Sequence, residues 1–277
     1  MTRLDDAIAA TVDRFQSTEL AQMPRIAHPN PSIAGIGTVA ARGLASPLLR
    51  ERLASRGVTP ANFQAFLGPD ALLADRSWHL ALVLSPFKRD VAIWCDRLTP
   101  AARATGVVDT LLRIEDEVLG VNTNSYAAAG ALDQLLGDAR SNRALVLGTG
   151  GAARSVAVGV RQWFPAVEVG FVGRSPDRVT AIVEDLGFGS AILDAASFDA
   201  DVVINATTVG ETDDGATLGF DSSRFLRGGT RYFDLNNRTS ALQTDALAAG
   251  CITMSGVFMQ LLTNVLRAEL LVPGPRQ

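Results

Sequence analysis

The second half of the chain alternates between short apolar runs and stretches with helical periodicity. Apolar runs lie near residues 144–148, 167–172, 201–205 and 230–235, and apolar residues recur at helical intervals between them. Strands that alternate with helices of this length predict a parallel, doubly wound sheet. The final segment, residues 257–271, is apolar at several spacings and is predicted to be a helix.

The first half of the chain mixes strand-like and helix-like patterns. Residues 46–57 begin with Ser46 and Pro47 and end with Gly57. A capping serine, a proline in the first turn and a glycine at the end are typical of a helix. Strands are predicted over residues 62–66 and 78–84, and a helix is predicted over residues 90–98.

Two further strand-like runs, residues 109–114 and 118–124, flank a short acidic turn. If the runs pair as a hairpin, Asp109 lies opposite Asn122 to Asn124. A carboxylate and two amides would then converge at the seam between two domains, where substrate clefts commonly lie. The alternative is a hairpin end that is merely capped and solvated.

Closely spaced glycines follow the apolar run that begins at Ala144. The sequence ALVLGTGGAAR places Gly148, Gly150 and Gly151 between this run and a helical pattern. Glycine lets the backbone turn tightly and approach a pyrophosphate, and the helix start offers unpaired N–H groups to the anion. The motif predicts a dinucleotide-binding Rossmann corner, although an ordinary strand–turn–helix corner has similar spacing.

The residues after the next apolar run indicate which dinucleotide is bound. That run ends at Gly173 and is followed by Arg174, Ser175 and Arg178. This is about the distance downstream at which a Rossmann fold meets the adenosine ribose, where an acidic residue would select NAD. Two arginines and a serine suit a 2′-phosphate instead, so the sequence predicts NADP(H). Arg174 is the stronger candidate, since Arg178 is equally well explained as an exposed first-turn arginine.

The composition fits a small-molecule enzyme. With 277 residues the chain exceeds one average domain, and its net charge of −4 offers no general attraction to nucleic acid. The cysteines, Cys95 and Cys251, and the histidines, His28 and His79, are widely separated, so no metal site is expected. No apolar run reaches membrane-spanning length, and the N-terminus is unlike a signal peptide. We expect a cytoplasmic monomer or homodimer that binds a small-molecule substrate, with no nucleic-acid or membrane partner.

Eight short motifs follow one another along residues 44–271. In chain order they are Ser46-Pro47, Ser85-Pro86-Phe87-Lys88, Asp109-Thr110, Asn122-Thr123-Asn124, Gly148-Thr149-Gly150-Gly151-Ala152, Gly173-Arg174-Ser175, Asn205-Ala206-Thr207-Thr208-Val209-Gly210, and Ser255-Gly256 before the last helix. Their types and order resemble the shikimate dehydrogenase family. The resemblance implies an α/β fold of two domains, with a doubly wound Rossmann NADP-binding domain inserted between the two halves of an α/β substrate domain. The domains implied are residues 1–122, the substrate domain; 123–254, the NADP-binding domain; and 255–277, a helix that returns to the substrate domain.

The resemblance also assigns roles. It makes Lys88 the central acid/base group; a lysine at a helix start, near the positive end of the dipole, is otherwise slightly unfavourable. Asp109 and Asn124 are its catalytic neighbours by the same resemblance. The implied substrate-binding residues are Ser46, Ser85, Asn122 and Thr263. The implied NADP-binding residues are Gly148, Gly150, Gly151, Ala152, Arg174, Ser175, Arg178, Asn205, Thr207 and Gly256.

The chain departs from the family pattern in its substrate residues. The family has an amide before the hairpin and an acid after it, whereas this chain has Asp109 first and Asn124 second. The acid and the amide have therefore changed places around one substrate hydroxyl. The remaining departures are Leu44 for a carboxylate-binding serine, Leu84 in or beside the place of a threonine, Thr263 for a glutamine, and Asn236-Asn237 for a tyrosine-containing loop.

Lost hydroxyls matter because a site built to hydrogen-bond a ligand discriminates by several powers of ten. The expected function is hydride transfer between NADP(H) and a small polar hydroxy or keto acid, with shikimate, 3-dehydroshikimate or quinate the first substrates to test. The alternatives are a related enzyme with a different substrate and a non-catalytic NADP(H)-binding sensor.

The arginines after Gly173 yield a first prediction. We expect NADP to bind at least about tenfold more tightly than NAD, because a charge-assisted contact with the 2′-phosphate contributes roughly 1.5–3 kcal/mol. Arg174→Ala should remove most of that preference, and Arg178→Ala should remove less. Titration of both cofactors by fluorescence measures the ratio, and equal affinities in the unmutated protein would contradict the prediction.

Overall fold

The computed structural model describes residues 3–21, 23, 28, 30–139, 141–209, 219 and 221–271. The chain divides into two compact units. Unit 1 contains the residues up to Tyr126 and those from Leu261 onward, and unit 2 is Ala127–Gln260. Both breaks lie a few residues after the predicted ones, because each falls inside a helix, Thr123–Leu136 and Gly256–Glu269, that continues past the change of unit.

Unit 1 contains a six-stranded mixed sheet with the order β2-β1-β3-β5-β6-β4. Strand β1 is parallel to β2 and β3, β5 is antiparallel to β3 and β6, and β4 is parallel to β6. The elements are α1 (Arg3–Thr18), β1 (Ser32–Ile36), α2 (Ala40–Leu44), α3 (Pro47–Ser55), β2 (Asn62–Ala65), α4 (Pro69–Ala74), β3 (Leu80–Val83), a 3₁₀ turn (Asp90–Trp94), β4 (Arg97–Leu98), α5 (Pro100–Thr105), β5 (Thr110–Ile114), β6 (Glu117–Val121) and the start of α6 (Thr123–Leu136).

The predicted helix at residues 46–57 and the predicted strands at 62–66 and 78–84 are present as α3, β2 and β3. The single helix predicted over residues 90–98 is wrong: a 3₁₀ turn ends at Trp94 and a strand follows. The cause is tertiary, because the backbone of this segment bonds to the edge of β6, and the side chain of Leu98 packs over Gly120. The tertiary contact overrides the local helical pattern.

The hairpin register is confirmed, since Thr110 pairs with Val121 and Asp109 therefore lies beside Asn122. The second strand is shorter than predicted. It ends at Val121, and helix α6 begins at Thr123. Asn124 thus belongs to the first turn of a helix, where its side chain projects differently from that of a strand residue.

Unit 2 contains a six-stranded sheet with the order β12-β11-β10-β7-β8-β9, in which every pairing is parallel. This confirms the predicted parallel sheet. The order reverses between β7 and β10, the position at which such sheets bind ligands at the strands' carboxyl ends. The elements are β7 (Arg143–Leu147), α7 (Gly151–Trp163), β8 (Glu168–Val172), α8 (Pro176–Leu186), β9 (Ser190–Ala191), 3₁₀ turns (Ala195–Ser197 and Ser222–Arg224), β10 (Val202–Asn205), β11 (Arg231–Asp234), α9 (Ala241–Ala248), β12 (Ile252–Met254) and α10 (Gly256–Glu269).

Each unit has its own apolar core. In unit 1 the core includes Trp78, whose indole N–H donates to the carbonyl of Leu72. In unit 2 it includes Leu145, Val203 and Tyr232 from adjacent strands. Within the part of the chain that the structure describes, no helix is both long and apolar enough to cross a membrane.

A buried acid, Glu19, fastens the end of α1 to two other helices of unit 1. Its Oε1 accepts the N–H of Ala101 at the start of α5, 2.9 Å away, and the hydroxyl of Tyr126 in α6, 3.0 Å away. Glu19 is 2% exposed, and burial raises the pKa of its carboxyl above the ordinary value. No local pattern in the sequence indicates this role, because its partners lie on other helices.

The raised pKa of Glu19 makes the stability of unit 1 depend on pH. Because the folded state holds this proton more tightly than the unfolded chain does, the free energy of unfolding falls as pH rises above the ordinary carboxyl value of 4.5. Glu19→Gln, which is neutral at every pH, should lack this decrease. Urea unfolding between about pH 5 and about pH 8 measures it, with exposed Glu51→Gln as the control. Parallel curves for Glu19→Gln and the unmutated protein would contradict the prediction.

Candidate functional site

The loop after β3 carries Lys88. Within this loop the carbonyl of Ser85 accepts the N–H of Thr38 at 3.0 Å, and the carbonyl of Lys88 accepts the N–H of Val108 at 2.8 Å. Backbone bonds to neighbouring segments at both ends fix the path of the loop. Lys88 is half-buried and lies next to the segment that leads into β5, whereas Ser85 is exposed.

Asp109 is fully buried, and protein donors reach both oxygens of its carboxylate. Oδ1 accepts the hydroxyls of Thr110 and Thr123, each at 2.7 Å. Oδ2 accepts the backbone N–H of Asn124, also at 2.7 Å. A carboxylate that accepts an N–H of the first turn caps a helix and is favoured by the helix dipole. The alternative of a solvated hairpin end is therefore wrong, because Asp109 has no exposed surface.

Asn122 is also fully buried. Its Nδ2 donates to Thr105 Oγ1 at 2.9 Å and to the carbonyl of Val107 at 3.1 Å. Its Oδ1 accepts the N–H of Ser125 at 3.0 Å. The amide expected to bind substrate thus makes protein contacts at both ends, and it provides a second cap for α6.

Helix α10 contacts both members of the exchanged pair. Thr263 donates to Oδ1 of Asn124 at 3.3 Å. One turn later, Arg267 donates through Nε to Thr110 Oγ1 at 3.0 Å and through Nη2 to the carbonyl of Asp109 at 3.2 Å. The same Nη2 is 4.0 Å from Oδ1 of Asp109. Burial lowers the pKa of Arg267, and the charge of Asp109 raises it in part.

Sequence reasoning did not identify Arg267 as part of the site. The available signal is that Arg267 is the one basic side chain in the final helix. A buried arginine is rare unless it is paired, so its position in that helix calls for an acid nearby.

The apolar replacements lie on α2 and the strands beside it. Leu44 is buried and contacts the backbone at Gly35, whereas Leu84 is half-buried and lies against Gly43. Both side chains fill space with carbon where the family pattern has hydroxyls. Ser46 precedes α3, and its half-exposed side chain makes no capping hydrogen bond, so its hydroxyl is not used by the helix.

The glycine corner of unit 2 has the geometry that a phosphate needs. Gly148 has a φ of +110°, and a Cβ there would lie 3.1 Å from the carbonyl oxygen of Ala206. The N–H of Arg154 donates to the carbonyl of Gly150, so the N–H groups of Gly151 and Ala152 precede the first helical hydrogen bond. No side chain caps this helix start, and a Cβ at Gly150 would meet nothing within 4 Å. The corner therefore presents open N–H groups to an anion.

The arginines after Gly173 lie at the same edge of the sheet. Leu147 and Val172 are paired in the parallel register of β7 and β8, so the turns that follow them are adjacent. Arg174 and Arg178 are exposed. Ser175 precedes α8 and makes no side-chain capping hydrogen bond. The structure thus brings Arg174 and Ser175 next to the glycine corner.

Asn205 and Thr207 form part of an internal network at the end of β10. Oδ1 of Asn205 accepts both the N–H and the hydroxyl of Thr207, at 3.1 Å and 2.6 Å. Nδ2 donates to Asp234 at 3.2 Å, and this buried acid also accepts the hydroxyls of Tyr232 and Ser240. The two residues expected to contact NADP thus bond to each other and hold the described start of the loop after β10, residues 206–209. Gly210 lies outside the described residues.

Gly256, the first residue of α10, packs directly against the loop after β11. Its N–H donates to the carbonyl of Asn236 at 2.9 Å. A Cβ at this position would lie only 2.2 Å from the carbonyl oxygen of Leu235. Only glycine fits here without displacing backbone.

Comparison with known proteins identifies relatives of the chain by sequence. No family model matches the chain. A shikimate dehydrogenase (NADP(+)) of Thermus thermophilus is 36% identical over 134 residues, which cover 48% of this chain and 49% of that protein. The enzyme of the same name from Xylella fastidiosa is 30% identical over 213 residues, which cover 71% of this chain and 74% of that protein.

A solved structure extends the comparison to the fold. Shikimate 5-dehydrogenase from Thermus thermophilus, crystallised with NADP(H) and shikimate, has a TM-score of 0.74 and 27% identity. The superposition covers 88% of this chain and 95% of that one. In sequence, by contrast, the match spans about half of the Thermus relative.

Two glycines of unit 2 are predicted to be needed for different reasons, Gly256 for packing and Gly150 for cofactor binding. Gly256→Ala should lower the free energy of unfolding by about 1–3 kcal/mol, because the added methyl overlaps a backbone carbonyl. Gly150→Ala meets no protein atom and should leave stability nearly unchanged, but its methyl would obstruct a pyrophosphate and weaken NADP(H) binding. Urea unfolding and cofactor titration of both variants test the pair. Equal stability losses would contradict it.

Proposed function

The chain belongs to the shikimate dehydrogenase family, and we propose that it is an NADP-dependent oxidoreductase acting on a small polar hydroxy or keto acid. The observation that carries the proposal is Lys88. Of the 25 basic residues in the chain, Lys88 is the only lysine, and all the others are arginines. Arginine stays protonated at every working pH, whereas an ammonium can give up its proton and take it back. Lys88 carries the only lysine ammonium of the chain, and it occupies the position to which the family resemblance assigns the acid/base group.

Unit 2 supplies the groups that would hold NADP. The N–H groups at the start of α7 suit the pyrophosphate, and Gly150 leaves room for its approach. Arg174 and Ser175, at the adjacent strand end, suit the 2′-phosphate by charge and hydrogen bonding. When bound, the nicotinamide donates or accepts the hydride.

In unit 1, Lys88 would provide the proton. Reduction of a ketone adds a hydride to carbon and a proton to oxygen, and the ammonium of Lys88 donates that proton to the developing alkoxide. In the reverse direction the neutral amine accepts the hydroxyl proton as hydride leaves. The backbone bonds at Ser85 and Lys88 support this role, because they hold the lysine's loop in one place before substrate binds.

The polar groups of unit 1 support a substrate with few hydroxyls. Ser46 keeps a hydroxyl that its helix does not use, which suits a substrate carboxylate. Leu44 and Leu84 offer carbon where hydroxyls would bind a polyol. Shikimate and quinate are the first substrates to test, followed by simpler hydroxy acids and their keto forms.

One observation favours a second candidate, a protein that binds NADP(H) without turnover. The carboxylate of Asp109 is used by the fold, with three protein donors at 2.7 Å and no exposed surface. A sensor would need the cofactor corner but no acid for the substrate. NADP binding without oxidation or reduction of any tested acid would favour this alternative.

Lys88 variants test the enzyme directly. Lys88→Ala should reduce turnover by about two to four powers of ten, the usual loss for a missing general acid or base, and leave NADP affinity unchanged. Lys88→Arg keeps the charge but cannot release a proton, so it should be almost as impaired. Steady-state kcat and NADP titration measure the two effects. Turnover of Lys88→Ala within about threefold of the unmutated protein would assign the proton transfer to another group.

A further inference from the structure

Arg267 lies outside the eight motifs of the sequence, yet it is one of the most enclosed charges among the described residues of unit 1. Its residue is 6% exposed, and its guanidinium donates to Thr110 Oγ1, to the carbonyl of Asp109 and, at 3.5 Å, to Oδ1 of Asn264. Removing a cation of this size from water is costly unless an anion accompanies it. The anion is Asp109, whose Oδ1 lies 4.0 Å from Nη2.

Asp109 is equally enclosed and equally occupied. It is 0% exposed, its three hydrogen bonds come from β5 and from the start of α6, and its charge is matched by Arg267. Asn124, the other member of the exchanged pair, is 8% exposed. Both residues are buried, and of the two only Asn124 keeps any solvent-accessible surface.

We propose that Arg267 is a positioning residue, which pairs with Asp109 and commits that carboxylate to capping α6, so that Asn124 is the member of the exchanged pair that contacts substrate. This inference rests on the proposed function. In this proposal the carboxylate of Asp109 does not contact the substrate hydroxyl as the family's acid does. It has become the fixed support of a helix whose first turn presents an amide.

An amide recognises different chemistry from a carboxylate. A carboxylate only accepts hydrogen bonds, whereas an amide also donates them. Since Oδ1 of Asn124 already accepts from Thr263, the amide has donor capacity for a substrate oxygen. The site therefore suits a carbonyl or carboxylate oxygen at the position where the family pattern implies a hydroxyl donor.

The test is a double-mutant cycle of Asp109→Asn, Arg267→Met and both together. Each single change leaves one buried charge without its partner, and the double change removes both charges. We expect Arg267→Met to lower the unfolding midpoint and to reduce kcat/KM at least tenfold, and the double variant to recover at least part of both losses. Arg76→Met, which breaks the exposed pair with Asp116 elsewhere in unit 1, is the control and should leave kcat/KM within about twofold.

The lone lysine offers a readout that a purely structural effect would not move. Reductive ¹³C-dimethylation labels the Lys88 amine and the N-terminal amine, and Lys88→Ala identifies the Lys88 signal. The carbonyl of Lys88 accepts the N–H of Val108, the residue before Asp109, at 2.8 Å, so Lys88 lies beside the pair. We expect the Lys88 pKa to rise in Arg267→Met, where the carboxylate of Asp109 is uncompensated, and to fall in Asp109→Asn, where the guanidinium of Arg267 is uncompensated. In the double variant it should return to the value of the unmutated protein.

Opposite shifts that cancel would demonstrate the pairing, and shifts of one sign in both single variants would overturn it. If Arg267→Met does not fold while the double variant does, that rescue itself supports the pairing. If neither folds, Arg267→Lys replaces Arg267→Met, and Lys88→Ala in that background separates the Lys88 signal from that of the added lysine. The Lys88 pKa should then stay near that of the unmutated protein because the charge at position 267 is kept. A shift as large as that of Asp109→Asn would overturn the proposal.

The role of Asn124 is tested by comparing the KM and the unfolding midpoint of two variants. Asn124→Ala should raise KM at least about fivefold and lower the unfolding midpoint less than Asp109→Asn does, because it removes one hydrogen bond, from Thr263, and no charge. Asp109→Asn should lower the midpoint. The reverse pattern would contradict the assignment. The unfolding and titration measurements need no substrate, so they judge the pairing even if the unmutated protein turns over none of the tested acids, the result that would refute the proposed function.

Discussion

Three segments of unit 1 that are far apart in sequence are held by one buried carboxylate. Asp109 accepts from Thr110 at the start of β5, from Thr123 and Asn124 at the start of α6, and faces Arg267 of α10. A buried charge is tolerable only when hydrogen bonds and a counter-charge replace its hydration. That requirement gives the surrounding groups little freedom, and the position of Asn124 follows from it.

Unit 2 also buries an acid, whose carboxylate is surrounded by neutral hydrogen-bond donors. Asp234 is fully buried at the end of β11 and accepts from Asn205, Tyr232 and Ser240. Burial, together with the charge of Asp234, raises the pKa of Tyr232 and keeps its hydroxyl protonated as a donor. Residues 206–209, which follow β10 beside Gly148, and residues 235–236, which follow β11, are thereby held in place. Residues held in this way can bind a ligand without first being ordered.

The exchanged acid and amide show why a motif match does not transfer a role. By sequence, Asp109 and Asn124 keep one carboxylate and one amide, with the two positions exchanged. In the structure the two positions differ in burial, because one precedes a central strand and the other begins a helix. An acid at the more buried position, Asp109, accepts hydrogen bonds from protein groups rather than from substrate. Its buried charge also requires a buried cation nearby, here Arg267.

The sequence alone determined the parallel sheet of unit 2, the glycine corner and the hairpin register. These features depend on local patterns: apolar runs, positive-φ glycines and the pairing of adjacent strands. The tertiary structure decided what local patterns do not encode. It replaced the helix predicted over residues 90–98 with a strand at an edge of β6, turned Asn122 and Asn205 inward, and joined Arg267 to Thr110 across 157 positions of sequence. A hydrogen bond over such a separation leaves no periodicity in the chain, because its two partners meet only after the elements between them have packed.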